Sequence, residues 1–145
     1  MKSKSLLLLC TVAVVGLLYA FVSPAGGEGF GIYVGDKLLV QKFNQEMKQV
    51  KNISITIADA GTVLKVKFYH CGMVGKDRSL SLKAVGSKLI KQWQFSNESG
   101  KNYSISIPVK ELLELKKDAG NSDLYLYYYS KEANTGRLLA GITKN

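Results

Sequence analysis

The regular alternation of apolar and polar residues is the feature that most constrains how this chain folds. It is clearest over residues 64–69, 79–83 and 103–107, where every second side chain is apolar. A period of two residues is typical of β-strands that bury one face. Short stretches rich in Gly, Asn, Asp and Ser interrupt the alternation at regular intervals, and such residues favour turns. The sequence therefore predicts an all-β, antiparallel β-sandwich.

Two segments depart from this pattern. Residues 108–117 begin with proline, carry acidic residues early and lysines late, and are followed by Gly120, which predicts a short helix. Residues 36–52 have apolar side chains at helical spacing, namely Val40, Phe43, Met47 and Val50. We interpret this segment as an amphipathic helix. The alternative is a hairpin strand that follows a turn at Gly35–Asp36.

The N-terminal region contains an uncharged stretch, Ser5 to Val22, preceded by Lys2 and Lys4. As a helix its eighteen residues would rise roughly 27 Å, close to the thickness of the hydrocarbon core of a bilayer. The lysines favour a cytoplasmic N-terminus. We therefore expect a single-pass anchor with the C-terminal domain outside the cytoplasm, in the periplasm or at the cell surface. The alternative is a signal peptide cleaved near residues 23–25, which would release a secreted protein.

These features divide the chain into three parts. Residues 1–25 are the anchor or signal peptide, 26–31 a glycine-rich spacer, and 32–145 the extracytoplasmic domain. The last part contains 18 basic and 10 acidic residues, an excess of eight positive charges. This charge favours anionic partners such as lipid headgroups or acidic glycans, although scattered lysines also fit a solvated surface. Nucleic acid is not expected outside the cytoplasm.

The stretch Phe68–Met73 raises the question of a metal site, because it places His70, Cys71 and Met73 close together in the chain. Thiolate and thioether ligands would suit copper. A blue-copper site needs two histidines, however, and the chain has one. Because His70 continues the alternation of the preceding strand, we expect it at the edge of the core with a structural role. A disulfide with Cys10 is excluded by the topology expected for the anchor.

The sequence contains no constellation that indicates catalysis. His70 is the only histidine available as a general base, and no Gly-x-Ser-x-Gly nucleophile elbow occurs. Glycine-rich stretches are present, but none has the spacing of a phosphate-binding loop between a strand and a helix. We therefore expect a protein that is not an enzyme and that requires no cofactor.

A cluster of tyrosines provides a candidate binding face. Tyr125, Tyr127 and Tyr129 should lie on one side of a strand, opposite Leu124, Leu126 and Tyr128. Together with Trp93 and Tyr103 they would form an aromatic platform for sugar rings or for a partner protein. The alternative is a central strand that is buried on both sides, with the phenol groups reaching the rim.

The C-terminal third combines a turn region at 118–123, a tyrosine-rich strand at 124–129 and a final hairpin that ends near residue 142. In this order it resembles the end of immunoglobulin-like and fibronectin type III-like sandwiches. The resemblance covers residues 103–142 and implies the fold alone, with Tyr125 matched to the corner tyrosine of such domains.

Three Asn-x-Ser sequences, at Asn52, Asn97 and Asn102, would accept N-linked glycans in a eukaryotic secretory pathway.

Taken together, the sequence predicts a membrane-anchored β-sandwich that binds a partner protein, as an accessory subunit of a membrane or envelope complex. The alternative is a cleaved, secreted basic module that binds acidic glycans or surface polymers.

Overall fold

The computed structural model describes residues 27–99, 103–120 and 122–143. These residues form strands in two sheets, one α-helix, and short 3₁₀ turns. The strands are β1 (Glu28–Val34), β2 (Lys37–Phe43), β3 (Lys51–Ile53), β4 (Val63–His70), β5 (Ser79–Ala84), β6 (Leu89–Gln94), β7 (Ser104–Pro108), β8 (Leu124–Tyr129) and β9 (Arg137–Ile142). The helix α1 spans Val109–Asp118.

The four-stranded sheet has the order β2-β1-β4-β7, and the five-stranded sheet has the order β3-β9-β8-β5-β6. Neighbouring strands are antiparallel except β3 and β9, which are parallel. The core lies between the inner faces, where Leu64, Val66 and Phe68 of one sheet and Leu80 and Leu82 of the other are buried. The predicted all-β sandwich is confirmed, and the alternation of apolar residues marks its inner faces.

The helix α1 confirms the prediction for residues 108–117 and links β7 to β8. Pro108 precedes it in an extended conformation, and Gly120 follows it with a φ of 67°. The helix buries Val109 and Leu112 in the core. Its Glu111 reaches Lys91 of the edge strand β6, with 3.4 Å between Oε1 and Nζ. A charged side chain on an edge strand discourages pairing with another chain.

The helix predicted over residues 36–52 is wrong, and the hairpin alternative is correct. The segment forms β2, a 3₁₀ turn at Asn44–Lys48, and β3. A two-residue turn, Gly35–Asp36, brings Lys37 opposite Val34. Of the apolar residues at helical spacing, Val40 is buried and Met47 is partly buried, whereas Phe43 and Val50 are exposed. Pairing along β1 satisfies the backbone instead.

The sheet also begins inside the predicted spacer 26–31, since β1 starts at Glu28. Gly29 and Gly31 lie within this strand, and a Cβ at Gly29 would collide with the ring of Phe43. The predicted anchor, residues 5–22, lies outside the described residues. Within the described part of the chain, no helix is long and apolar enough to span a membrane.

Candidate functional site

The strand β8 separates its side chains as predicted. Leu124, Leu126 and Tyr128 point into the core and are at most 1% exposed. Tyr125, Tyr127 and Tyr129 lie on the outer face of the five-stranded sheet and are half-buried. The rings of the second group therefore remain partly accessible on this face of the sheet.

Lys83 of β5 organises this outer row of tyrosines. Its Nζ donates a hydrogen bond to Tyr129 Oη at 2.8 Å and lies 4.9 Å and 5.3 Å from the ring centroids of Tyr127 and Tyr129. The two rings are stacked, with 6.4 Å between their centroids. Cation–π contacts and a charge-assisted hydrogen bond therefore hold the lysine in place. The surface is arranged before any partner arrives.

Polar side chains continue the surface toward β6. Ser81 lies between Tyr127 and Gln92 in the sheet, and Ser79 lies between Tyr129 and Gln94. Gln92 Nε2 donates to Ser79 Oγ at 3.3 Å, and both serines are buried beneath their longer neighbours. We call the resulting surface the tyrosine face. It consists of Lys83, Gln92, Gln94, Tyr125, Tyr127 and Tyr129, and it offers aromatic rings beside amide and ammonium donors.

Two residues predicted for the platform lie elsewhere. Trp93 pairs with Leu80, which points into the core, so the indole lies on the inner side of β6. Its Nε1 is buried and has no hydrogen-bond partner among the described residues. Tyr103 is 49% exposed and lines a cavity at one end of the sandwich. The sequence suggested aromatic content but not which sheet position each ring would occupy.

Sequence reasoning missed Lys83, Gln92 and Gln94, although each occupies an outward position in an alternating strand. The register between β5, β6 and β8 brings them beside the tyrosines, and that register is a tertiary property. The match of Tyr125 to a corner tyrosine is also wrong. A corner tyrosine precedes an inward-facing cysteine by two residues and so faces inward, whereas Tyr125 faces outward.

His70 is buried where β4 ends, as predicted, and it connects the two sheets. Its Nε2 lies 2.8 Å from the hydroxyl oxygen of Tyr128, and the two groups share a hydrogen bond. The Phe68 ring stacks on the Tyr128 ring with 4.2 Å between centroids and an interplanar angle of 9°. Burial lowers the pKa of His70, against the attraction of Glu132, Glu98 and Glu28. Burial also raises the pKa of Tyr128 to about 12.

Cys71 and Gly72 form the tight turn that follows His70. Both residues have positive φ, 54° and 83°, and the Met73 N–H donates to the His70 carbonyl oxygen at 3.0 Å. The turn leaves the Cys71 thiol exposed. His70 and Met73 line a cavity of about 450 Å³, and Cys71 is not among the residues that line it. The three residues considered for copper therefore do not all line one cavity, and His70 Nε2 shares its hydrogen bond with Tyr128.

Buried charges around this cavity bind the backbone of neighbouring loops. The Arg78 guanidinium donates to the carbonyl oxygens of Ser96 and Tyr103, at 2.9 Å and 3.0 Å. The Glu98 carboxylate accepts a hydrogen bond from the Gly75 N–H at 2.8 Å. Within the described residues, no group of three or more His, Cys, Asp and Glu side chains is arranged to hold a metal ion. These contacts order the loops at this end of the sandwich.

Two of the three glycosylation sequences fall on described residues. Asn52 is exposed, and its side chain lies over Gly141. Asn97 is also exposed, and its Oδ1 accepts a hydrogen bond from the Asp77 N–H at 2.8 Å. Asn102 lies outside the described residues.

No protein-family model matches the sequence, and no curated protein matches it. A sandwich architecture does not by itself indicate an activity, since such folds carry many unrelated functions. Function must therefore be argued from the surfaces described above.

Proposed function

We propose that this protein is a membrane-anchored, extracytoplasmic binding module that acts without catalysis, as an accessory subunit of a membrane or envelope complex. The tyrosine face is the observation that carries this proposal. Its three half-buried tyrosines and its fixed lysine form an amphipathic surface on a rigid sheet. We propose that the partner protein binds there.

The chemistry of the tyrosine face suits a protein partner. Tyrosine is enriched in protein interfaces because it contributes a large contact area while losing little side-chain entropy. Lys83 is already held by Tyr127 and Tyr129, so binding would not have to order it. The neighbouring amides of Gln92 and Gln94 supply donors and acceptors at the rim.

The strand order supports an immunoglobulin-like assignment within this proposal. In the five-stranded sheet, β9-β8-β5-β6 follows the order of strands G, F, C and C′ in variable-type immunoglobulin domains. The adjacent strands β4 and β7 correspond to strands B and E of the opposite sheet. On this assignment the tyrosine face is the outer surface of the G-F-C-C′ sheet.

The proposed location rests on the N-terminal sequence. Ser5 to Val22 is uncharged and of spanning length, and Lys2 and Lys4 favour retention of the N-terminus in the cytoplasm. A retained anchor would hold the sandwich close to other proteins of the same membrane.

Photocrosslinking in native membranes tests the binding face. A photoreactive phenylalanine analogue replaces Tyr127 in the full-length protein. The matched control carries it at Tyr33, which is also half-buried beneath a lysine, with Lys67 Nζ 5.1 Å from its ring, but on the four-stranded sheet. We expect a discrete crosslinked protein from position 127 and none from position 33. Equal crosslinking at both positions, or none at either, would contradict the proposal.

A second candidate, a secreted module for acidic glycans, is favoured by the same rings and by the net charge of the domain. The two candidates differ in their response to salt. Binding through scattered lysines should weaken steeply between about 50 mM and 500 mM salt, because exposed charges are screened. A packed protein interface should survive the same change. Retention of the purified protein on an acidic polysaccharide column, measured over this range, distinguishes them.

A further inference from the structure

The chain enters the sandwich at the end that contains the His70 turn. Glu28, the first residue of β1, pairs with His70, the last residue of β4. An ion pair fixes this entry point, since Glu28 Oε1 lies 2.9 Å from Arg137 Nε. We call this the anchor end. It comprises the loops at residues 71–78, 95–99 and 130–136, together with Tyr103.

Exposed apolar side chains cluster at the anchor end. Met73 is 58% exposed, Val74 52% and Tyr103 49%, and all three line the cavity beside His70. Lys76 and Lys131 are exposed nearby, and the Lys131 N–H donates to the Lys76 carbonyl oxygen at 2.8 Å, which links their loops. The anchor end thus combines exposed apolar side chains with two exposed lysines.

The length of the connecting chain limits how far this end can lie from a membrane. Val22, the last residue of the apolar stretch, and Glu28 are six Cα–Cα steps apart, with five residues between them. Even fully extended they span at most about 22 Å, at 3.3–3.6 Å per residue. The polar headgroup layer occupies roughly 5–8 Å of this distance on each side of the hydrocarbon core. The anchor end therefore lies within reach of the bilayer surface.

Both ends of the sandwich carry charged side chains. Several carboxylates at the anchor end are bound within the protein: Glu28 to Arg137, Glu98 to the Gly75 N–H and Glu132 to the Lys76 N–H. Asp77 is exposed, and so is Glu46 of the 3₁₀ turn at Asn44–Lys48, which follows β2 at the same end of the sandwich. The turns at the opposite end carry Asp36, Asp59, Asp118 and Asp123. Lys37, Lys88 and Lys117 lie exposed at that same opposite end, so charge does not distinguish the two ends.

We infer that the anchor end docks on the outer surface of the phospholipid bilayer beside its own anchor. Met73 and Val74 insert at the level of the glycerol groups, and Tyr103 lies among the headgroups. This inference rests on the retained anchor of the proposed function. Docked in this way, the sandwich stands with its strands close to the membrane normal. The tyrosine face then points sideways, toward a neighbouring protein in the plane of the membrane.

Fluorescence quenching in phosphatidylcholine vesicles tests the docking. The full-length protein with Cys10→Ala retains Cys71 as its single thiol, and this thiol carries an environment-sensitive fluorophore. The control combines Cys10→Ala, Cys71→Ser and Ser87→Cys, which moves the label to an exposed positive-φ turn at the opposite end. Some of the lipids carry bromine near the top of the acyl chain as a quencher. Flotation on a density gradient reports anchoring separately.

Brominated lipid should quench the label at Cys71 at least about twofold and leave the label at position 87 nearly unchanged. Met73→Ser with Val74→Ser should relieve most of the quenching at Cys71, and circular dichroism checks that this variant folds. If the protein floats but brominated lipid quenches both labels equally, the docking inference is overturned and the anchor is retained. The same conclusion follows if the double variant leaves the quenching at Cys71 unchanged. If the protein does not float, the anchor and the docking are overturned together.

Discussion

At the scale of single residues, the hydrogen bond between His70 and Tyr128 is the main polar contact described inside the sandwich. His70 belongs to β4 of one sheet and Tyr128 to β8 of the other, so the bond joins the two layers. Both residues are buried. A buried polar group that loses its partner is costly, because water cannot replace the missing bond. This pair therefore fixes how the sheets meet at the anchor end.

Tyr128→Phe removes the hydroxyl and leaves His70 Nε2 without this partner. We expect the free energy of unfolding to fall by about 1–3 kcal/mol, measured by urea denaturation at neutral pH. The control, Tyr125→Phe, removes a hydroxyl from the outer face of the same strand and should cost less than about 0.5 kcal/mol. Equal losses in the two variants would show that the hydrogen bond between His70 and Tyr128 stabilises the fold no more than an exposed hydroxyl does.

The lowered pKa of His70 predicts a pH dependence of stability. In the unfolded chain the imidazole titrates near 6.5, whereas in the folded protein it remains neutral to lower pH. The unfolded state therefore binds more protons below about pH 6.5, and the stabilisation present above that pH is lost as the pH falls toward the folded pKa. The facing groups Glu132, Glu98 and Glu28 oppose this shift, and Arg78 adds to it.

We expect the free energy of unfolding to decrease between about pH 7 and pH 5, a range in which most carboxylates do not titrate. His70→Gln should flatten this slope even if it lowers stability at every pH. Urea denaturation at several pH values measures both slopes. A slope that survives in the variant would assign the dependence to another group.

At the scale of elements, the two-residue turn after β4 depends on glycine for its backbone conformation. Gly72 has a φ of 83°, and a Cβ there would meet nothing within 4 Å, so only backbone strain opposes a side chain. Gly72→Ala should therefore cost about 1 kcal/mol in thermal or urea unfolding. Gly61→Ala, an equally open site without positive φ, should be neutral or slightly stabilising. A neutral Gly72→Ala would mean that the turn relaxes to another type.

The elements that the sequence predicted well are those whose local pattern agrees with their environment. The strand at residues 63–70 and the helix at 109–118 have a clear period and clear end signals. The segment 36–52 has a helical spacing of apolar residues but forms a strand, because β1 provides a pairing partner through the Gly35–Asp36 turn. The periodicity of a segment carries no information about whether a neighbouring strand is available to form backbone hydrogen bonds with it.

At the scale of the whole molecule, the proposed anchor would limit the partners of the sandwich to molecules at the same membrane. We expect the protein purified from alkaline-washed native membranes to have the intact mass of residues 1–145, because a spanning helix withstands such a wash. Mass spectrometry of the membrane and soluble fractions measures this directly. A mass that begins near Gly26, found in the soluble fraction, would show a cleaved signal and favour the secreted alternative.

Local periodicity and end signals predict the all-β class, the separation of the β8 side chains into two rows, and the position of α1. Which row faces the core, and how the faces meet, depends on tertiary contacts. Strand register placed Lys83 beside the tyrosines and turned Trp93 inward, and the pairing of Glu28 with His70 placed the exposed Met73 and Val74 at the end where the chain enters. These arrangements depend on contacts between residues far apart in the chain, which local periodicity does not encode.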